Sequence, residues 1–472
     1  MSKKNTAHQS LLLVRKKMKF TLSNLVDETK VLFTNAQYMK SLKFFLLSTF
    51  LFFGVILTEA QNGVIEWTPA ECLKYAFVHN PAIIKAGNVL ASDSVKLLQS
   101  KAQLFPSVSA SADYNYAWSS ALGNNVVSNN SSGLAASATA DFMLFNGGIK
   151  RMTIQKYLLA SKSDSADYYT AKLSLTENIL NSYIQSLYYK EYIIVCNEQV
   201  ALSKEQTSAA NSRRELKNIT SSGYLQITTE EANSNLNLIK AQNQLSLSLL
   251  NLNTLLHLPA DSSVAPVTSA EWHNPVPDGF QNFDSVYQAA LSNRPEIAAA
   301  EMNLKIQELE IKMAKAERIP KVSTRVSTGW NQDVLTTNAT GGVNASAGIS
   351  ISIPIYDQRQ IATNIALAKI SMDDQKMNYE TVVYDLKTAI SELLLNINAG
   401  KAELAAALMQ LQLAEESYRS ALESFVVGKM APVDLLAQKT EWTNANYDVL
   451  KARYSLILNE ILLQLYINPS ND

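Results

Sequence analysis

The sequence predicts a mainly α-helical chain built from two tandem repeats, each carrying one β-hairpin. Three observations carry that prediction. Two segments, Ile149 to about Arg213 and Gln360 to Val427, contain no proline and only one glycine, Gly400. At 1.5 Å per residue each would form roughly 90 Å of helix. Four shorter stretches alternate apolar and polar residues with period two, the mark of strands with unlike faces. Finally, the chain is written twice. "NPAIIKAG…QLFPSVSASADY" returns as "RPEIAAAE…ERIPKVSTRVST", with Pro81/Pro295, Pro106/Pro320 and Val108/Val322 each 214 residues apart. "LFNGG" (Leu144–Gly148) matches "IYDQR" (Ile355–Arg359) at 211, and Gly223 matches Gly428 at 205. Two copies make a duplication rather than a solenoid.

The chain opens with a basic leader. Residues 1–38 fit no export signal and form an N-terminal extension, with Met39 the candidate start. Residues 39–60 form a signal peptide: Lys40 and Lys43 precede an uncharged run from Phe44 to Leu57, and Thr58-Glu59-Ala60 supplies the small residues of a cleavage site. That run would span only ~21 Å as a helix, short of the ~30 Å hydrocarbon core. Gln61 follows the site, so no lipid-bearing cysteine stands there. No later apolar run reaches the length of a transmembrane helix. If the exported chain enters a membrane, it does so with strands.

Repeat 1 spans 61–265, a proline-rich linker 266–279, and repeat 2 280–468. Each repeat begins with a short helix ending near Pro81 or Pro295, since proline suits a first helical turn and breaks what precedes it. A second helix runs to Pro106 or Pro320. The hairpins, 107–145 and 321–356, follow. Val108, Ala110, Ala112, Tyr114, Tyr116 and Trp118 alternate with serines, Asp113 and Asn115. The return strand sets Ala136, Ala138, Ala140, Phe142 and Leu144 against Ser137, Thr139 and Asp141. In repeat 2, Val322, Val326 and Trp330 alternate with polar residues, and the return strand, Val343–Tyr356, carries the isoleucine row of "ISISIPIYDQR". Then come the long helices. Leu386, Ile390, Leu393, Ile397, Leu404, Leu408, Leu411, Tyr418, Leu422 and Phe425 step at close to 3.5 residues, with a slip near Ala407, which argues coiled-coil packing. Turns at Gly223 and Gly428, expected to need positive φ, lead to return helices ending near Leu258 and Leu465.

Composition excludes several classes. Past residue 60 the chain holds 32 Lys/Arg against 39 Asp/Glu, a net of −7, with no basic patch for a nucleic acid. Four histidines and two cysteines leave little material for a metal site, and no cofactor is expected. Cys72 and Cys196 are expected to be buried thiols. There is no G-x-S-x-G, H-E-x-x-H or P-loop, so an enzyme is not expected. His79, His257 and His273 are isolated.

Two hairpins give four strands, too few to close a barrel, and an open sheet edge in lipid strands backbone groups without partners. A membrane location therefore demands oligomerisation. Tyr114, Tyr116, Trp118 and Trp330 lie near the hairpin tips and Phe145 and Tyr356 at the opposite ends, where interfacial aromatic belts sit. At this point the chain resembles the TolC-like outer-membrane efflux protein family. The resemblance rests on the duplicated helix/hairpin order, LFNGG and IYDQR, and the Gly-x-x-x-x-x-Asp turn Gly428–Asp434. It covers about Trp67 to Ile467. It implies a homotrimer whose strands share a twelve-stranded barrel in outer-membrane lipid, with a tapering helical tunnel in the periplasm. It also implies docking to a periplasmic adaptor (membrane fusion) protein and an inner-membrane RND or ABC transporter, as an efflux or type I secretion duct.

The resemblance places the aperture acid on Asp434. The second acid of the family falls on Ala437 and the basic latch on Met430, so both are missing here. The latch acceptors match Thr228 and Thr229, and Lys429 with Glu230 or Glu231 is the available substitute. Asp434 also sits in the first helical turn after Pro432, where exposed amides favour a carboxylate, and that role accounts for it equally well. The competing class is a periplasmic coiled-coil adaptor or scaffold without a barrel. Recovery in the soluble periplasm would distinguish it.

Overall fold

The computed structural model describes residues 65–120, 128–259, 264–267, 282–333 and 341–468. The extension, the signal peptide, most of the linker and the hairpin tips lie outside the described residues. The elements run β1 (Ile65–Trp67), α1 (Pro69–His79), α2 (Pro81–Ala102), β2 (Ser107–Ser120), β3 (Ser128–Phe145), α3 (Ile149–Glu215), α4 (Ser221–Leu256) and β4 (Val264–Pro266). The second series is α5 (Phe283–Asn293), α6 (Pro295–Ala316), β5 (Lys321–Asp333), β6 (Gly342–Ser352), α7 (Gln360–Val426) and α8 (Pro432–Ile467). The fold is mainly helical, and the six elements of the second series match α1–α4 with β2 and β3 of the first in order, whereas β1 and β4 have no counterpart among the described residues.

The caps explain the short helices. Thr68 Oγ1 accepts from the Glu71 amide while Glu71 Oε2 accepts from the Thr68 amide at 2.7 Å, a reciprocal box that starts α1. Asn80 Oδ1 accepts from the Ala82 amide at 2.8 Å and Pro81 opens α2. The long helices start where Gly147 and Gly148, or Gln358 and Arg359, turn left-handed. Asp357, although two residues before the N-cap, still takes the Ile361 amide at 2.7 Å.

β2, β3, β5 and β6 form one antiparallel sheet in that order, so β2 and β6 are its edges. β6 stops at Ser352, four residues short of the expected Tyr356, because Pro354 has no amide to donate. A bulge between Met143 and Phe145 shifts the register. It sets Phe145, not Leu144, opposite Val322 on the apolar face.

β1 pairs in parallel with β4, tying the start of repeat 1 to the chain that leaves it. Tyr183 of α3 clamps that pair: its hydroxyl lies 2.8 Å from the carbonyls of Trp67 and Val267 and accepts from the Val267 amide. Around it, Ile179, Leu252, Leu256, Cys72, Ala76 and Val264 make the first core, and Val286, Ala290, Ile297, Leu386, Ile390 and Leu463 make its counterpart in repeat 2. Both cysteines are free and buried, and burial pushes the Cys72 thiol up to about 12. The α7 seam runs Leu386, Leu393, Gly400, Ala407, a strict seven-residue step of buried positions. Leu408, expected in the seam, is instead exposed. Gly400 lets α8 approach, and Leu456 of α8 sits over it.

Candidate functional site

The site residues expected from the sequence lie in two regions: the sheet, and the turns that join the long helices with the helical turns beside them. In the sheet, register fixes which residues share a face. Val108, Ala140, Val326 and Ala347 form one cross-strand row, and Ala112, Ala136, Trp330 and Val343 another. Ile349 and Ile351 stand on the same side as these rows and are exposed, as are Ile353 and Ile355 beyond the strand. The opposite face carries Ser111 against Ser137 at 3.0 Å, Ser327 against Ser346 at 2.7 Å, and an ion pair of Arg325 with Asp141 at 2.6 Å. Tyr114, Tyr116 and Trp118 are exposed on the apolar face, Trp330 is half-buried, and Phe145 and Tyr356 are exposed at the other end. Among the described residues no helix is long and apolar enough to cross a membrane.

The turns correct the pairing drawn from glycines. α3 and α7 are both 67 residues and α4 and α8 both 36, each offset by 211. At that offset Lys217 matches Gly428, and Gly223 matches Asp434. The left-handed residues are accordingly Lys217 (φ 60) and Gly428 (φ 76). Gly223 has no positive φ: it lies in the first turn of α4, where Thr220 Oγ1 accepts from its amide at 3.1 Å. It is small for another reason. A Cβ there would lie 3.2 Å from both Ile219 Cγ1 and Pro432 Cγ, so the two turns touch across it.

Asp434 is exposed in the first turn of α8, two residues after Pro432, and Ala431 provides no side-chain cap. Met430 is half-buried against the Tyr418, Ala421 and Leu435 cluster, an apolar part of the tip packing. Thr228 and Thr229 bond back to the carbonyls of Tyr224 and Leu225 at 2.9 and 2.8 Å, the usual resting place of a hydroxyl inside a helix. The expected Lys429 pairing does not form. Lys429 is exposed and makes no ion pair among the described residues. Glu230 instead meets Lys439, two turns into α8, at 3.5 Å. Glu231 is half-buried beside it.

Sequence reasoning missed two basic residues here. Arg213 of α3 donates to the carbonyls of Phe425 and Val426 at 3.2 and 3.3 Å and stacks on the Phe425 ring, so it caps α7 from the other repeat. Lys439 is buried between α3, α4 and α8. Neither residue type signals such a role by spacing; only the packing of one repeat on the other brings them to their acceptors. A cleft of about 410 Å³ opens between the turns, lined by Arg213, Lys217, Thr220, Phe425 and Pro432 among others.

The chain aligns with outer membrane efflux protein BepC of Brucella suis biovar 1 at 23% identity over 38% of this chain and 40% of that one. It spans less than half of that relative's length. With outer membrane protein TolC of Escherichia coli K12 it shares 19% identity over 89% of this chain and 86% of TolC. The fold matches a solved structure of CusC with a TM-score of 0.74 at 16% identity, covering 87% of this chain and 95% of that one. The family model for outer membrane efflux proteins matches residues 74–256 and 286–468, one match for each helix-and-hairpin series. With that coverage and this fold, the chain belongs to the outer membrane efflux protein family.

Proposed function

We propose that three copies of this chain form the outer-membrane exit duct of a tripartite efflux or type I secretion system. The observation that carries the proposal is the four-stranded sheet: apolar on one exposed face, polar on the other, with β2 and β6 as open edges. Such edges cannot stand in lipid alone. Joining β6 of one copy to β2 of the next continues the antiparallel order, and three copies make twelve strands. The serine and Arg325–Asp141 face then lines a water-filled lumen, and the isoleucine row faces lipid. Tyr114, Tyr116, Trp118 and Trp330 mark one membrane interface, Phe145 and Tyr356 the other. In this reading residues 39–60 direct export, repeat 1 is 61–265 and repeat 2 is 280–468. The duct is a passive conduit. A periplasmic adaptor and an inner-membrane RND or ABC transporter supply the energy and choose the cargo.

The joined turns form the periplasmic aperture, with Asp434 facing the pore. Asp434→Ser raises basal conductance of the purified channel in a planar bilayer and weakens block by multivalent cations. A helix-terminal role alone, worth about 0.3–1 kcal/mol, would change stability and leave both readings where they were.

A further inference from the structure

Lys439 is 1% exposed, the most deeply buried basic side chain among the described residues. Its ammonium bridges three helices, meeting Ser203 Oγ of α3 at 2.5 Å and Glu230 Oε1 of α4 at 3.5 Å. Ser203 donates its hydrogen to the Gln199 carbonyl at 2.8 Å. It can therefore only accept, from Lys439 and from Ser234 at 2.9 Å. Three N–H bonds thus share one hydroxyl and one long carboxylate contact. The Glu230 side chain keeps 25% exposure and some water, whereas the Lys439 side chain keeps 1%. Burial pulls the ammonium below the usual lysine range, against the opposing pull of Glu230.

A buried ion pair often fails to recover the hydration it loses, and an apolar side chain of like volume then packs more stably. Parting α8 from α3 and α4 by about one water diameter, ~3 Å, would rehydrate both groups. We propose that Lys439 is a built-in bias toward separation of α8 from the α3–α4 pair: it weakens the packed state that it occupies and does not latch it. This rests on the proposal above that the α7–α8 turn borders an aperture. A latch at the same place would act in the opposite direction.

Two variants separate these alternatives. Lys439→Met removes the charge, keeps most of the volume, and leaves Glu230 free to turn to water. Glu230→Gln leaves the ammonium buried without its carboxylate. Spin labels at Asn233 of α4 and Glu441 of α8, in full-length protein diluted with unlabelled chain, report the spacing of the helices. Lys439→Met is expected to cut the long-distance population about fivefold or more, and Glu230→Gln to raise it. Basal conductance is expected to follow in each case. A larger long-distance population in Lys439→Met, or no change in either variant, overturns the proposal. Spin-label shifts as expected with unchanged conductance would uphold the bias and overturn the aperture reading instead.

Discussion

Val326→Arg empties the outer-membrane fraction of this protein, while Ser111→Arg leaves it there. Val326 lies in the middle of β5, 52% exposed, between Ala140 and Ala347 on the apolar face. An arginine on the lipid side of a transmembrane strand costs about 2–4 kcal/mol near the bilayer midplane. That lowers the inserted fraction by more than about tenfold. Ser111 lies on the other face, near the middle of β2, with Asp113 two residues along the same side. Its arginine stands in water beside a carboxylate and costs little. Membrane fractionation of the two variants reads the result. Equal recovery of both would mean that the apolar face does not meet lipid.

Tyr183→Phe loosens the pairing of β1 with β4. The hydroxyl has one hydrogen to give to the carbonyl of Trp67, at the end of β1, or of Val267, just past β4, and it accepts from the Val267 amide; the ring is fully buried in the first core. Phenylalanine keeps the ring and leaves those groups unpaired, a cost of about 2 kcal/mol. Amides of β1 and β4 should then exchange about 30-fold faster, while the centre of α7 keeps its protection. Unchanged exchange at Glu66 and Val267 would show that the mini-sheet holds without the clamp.

Much of this architecture is legible in the residues. Without proline or glycine nothing interrupts the helical ladder, so α3 and α7 begin at the expected Ile149 and Gln360 and end within two residues of expectation. Strand faces are equally plain, since alternation is a local property. The turns are less so. Gly223 and Gly428 invite pairing because both are glycines, yet one is small to admit Pro432 and the other is left-handed. The true partner of Gly428 is Lys217, a lysine forced to positive φ by the helix end, which residue type does not announce. Lys439 is the same lesson in reverse. A lysine inside a helix suggests a solvated face, and only the approach of α3 and α4 turns it into a buried charge. What sequence leaves out is contact between the two repeats, because no local pattern records it.

In the proposed duct these four strands close only with two further copies. Native mass spectrometry of the protein, extracted from outer membranes in mild detergent, tests it most directly. One dominant species with the mass of three mature chains is expected. A monomer, a dimer or a tetramer as the dominant species would contradict it.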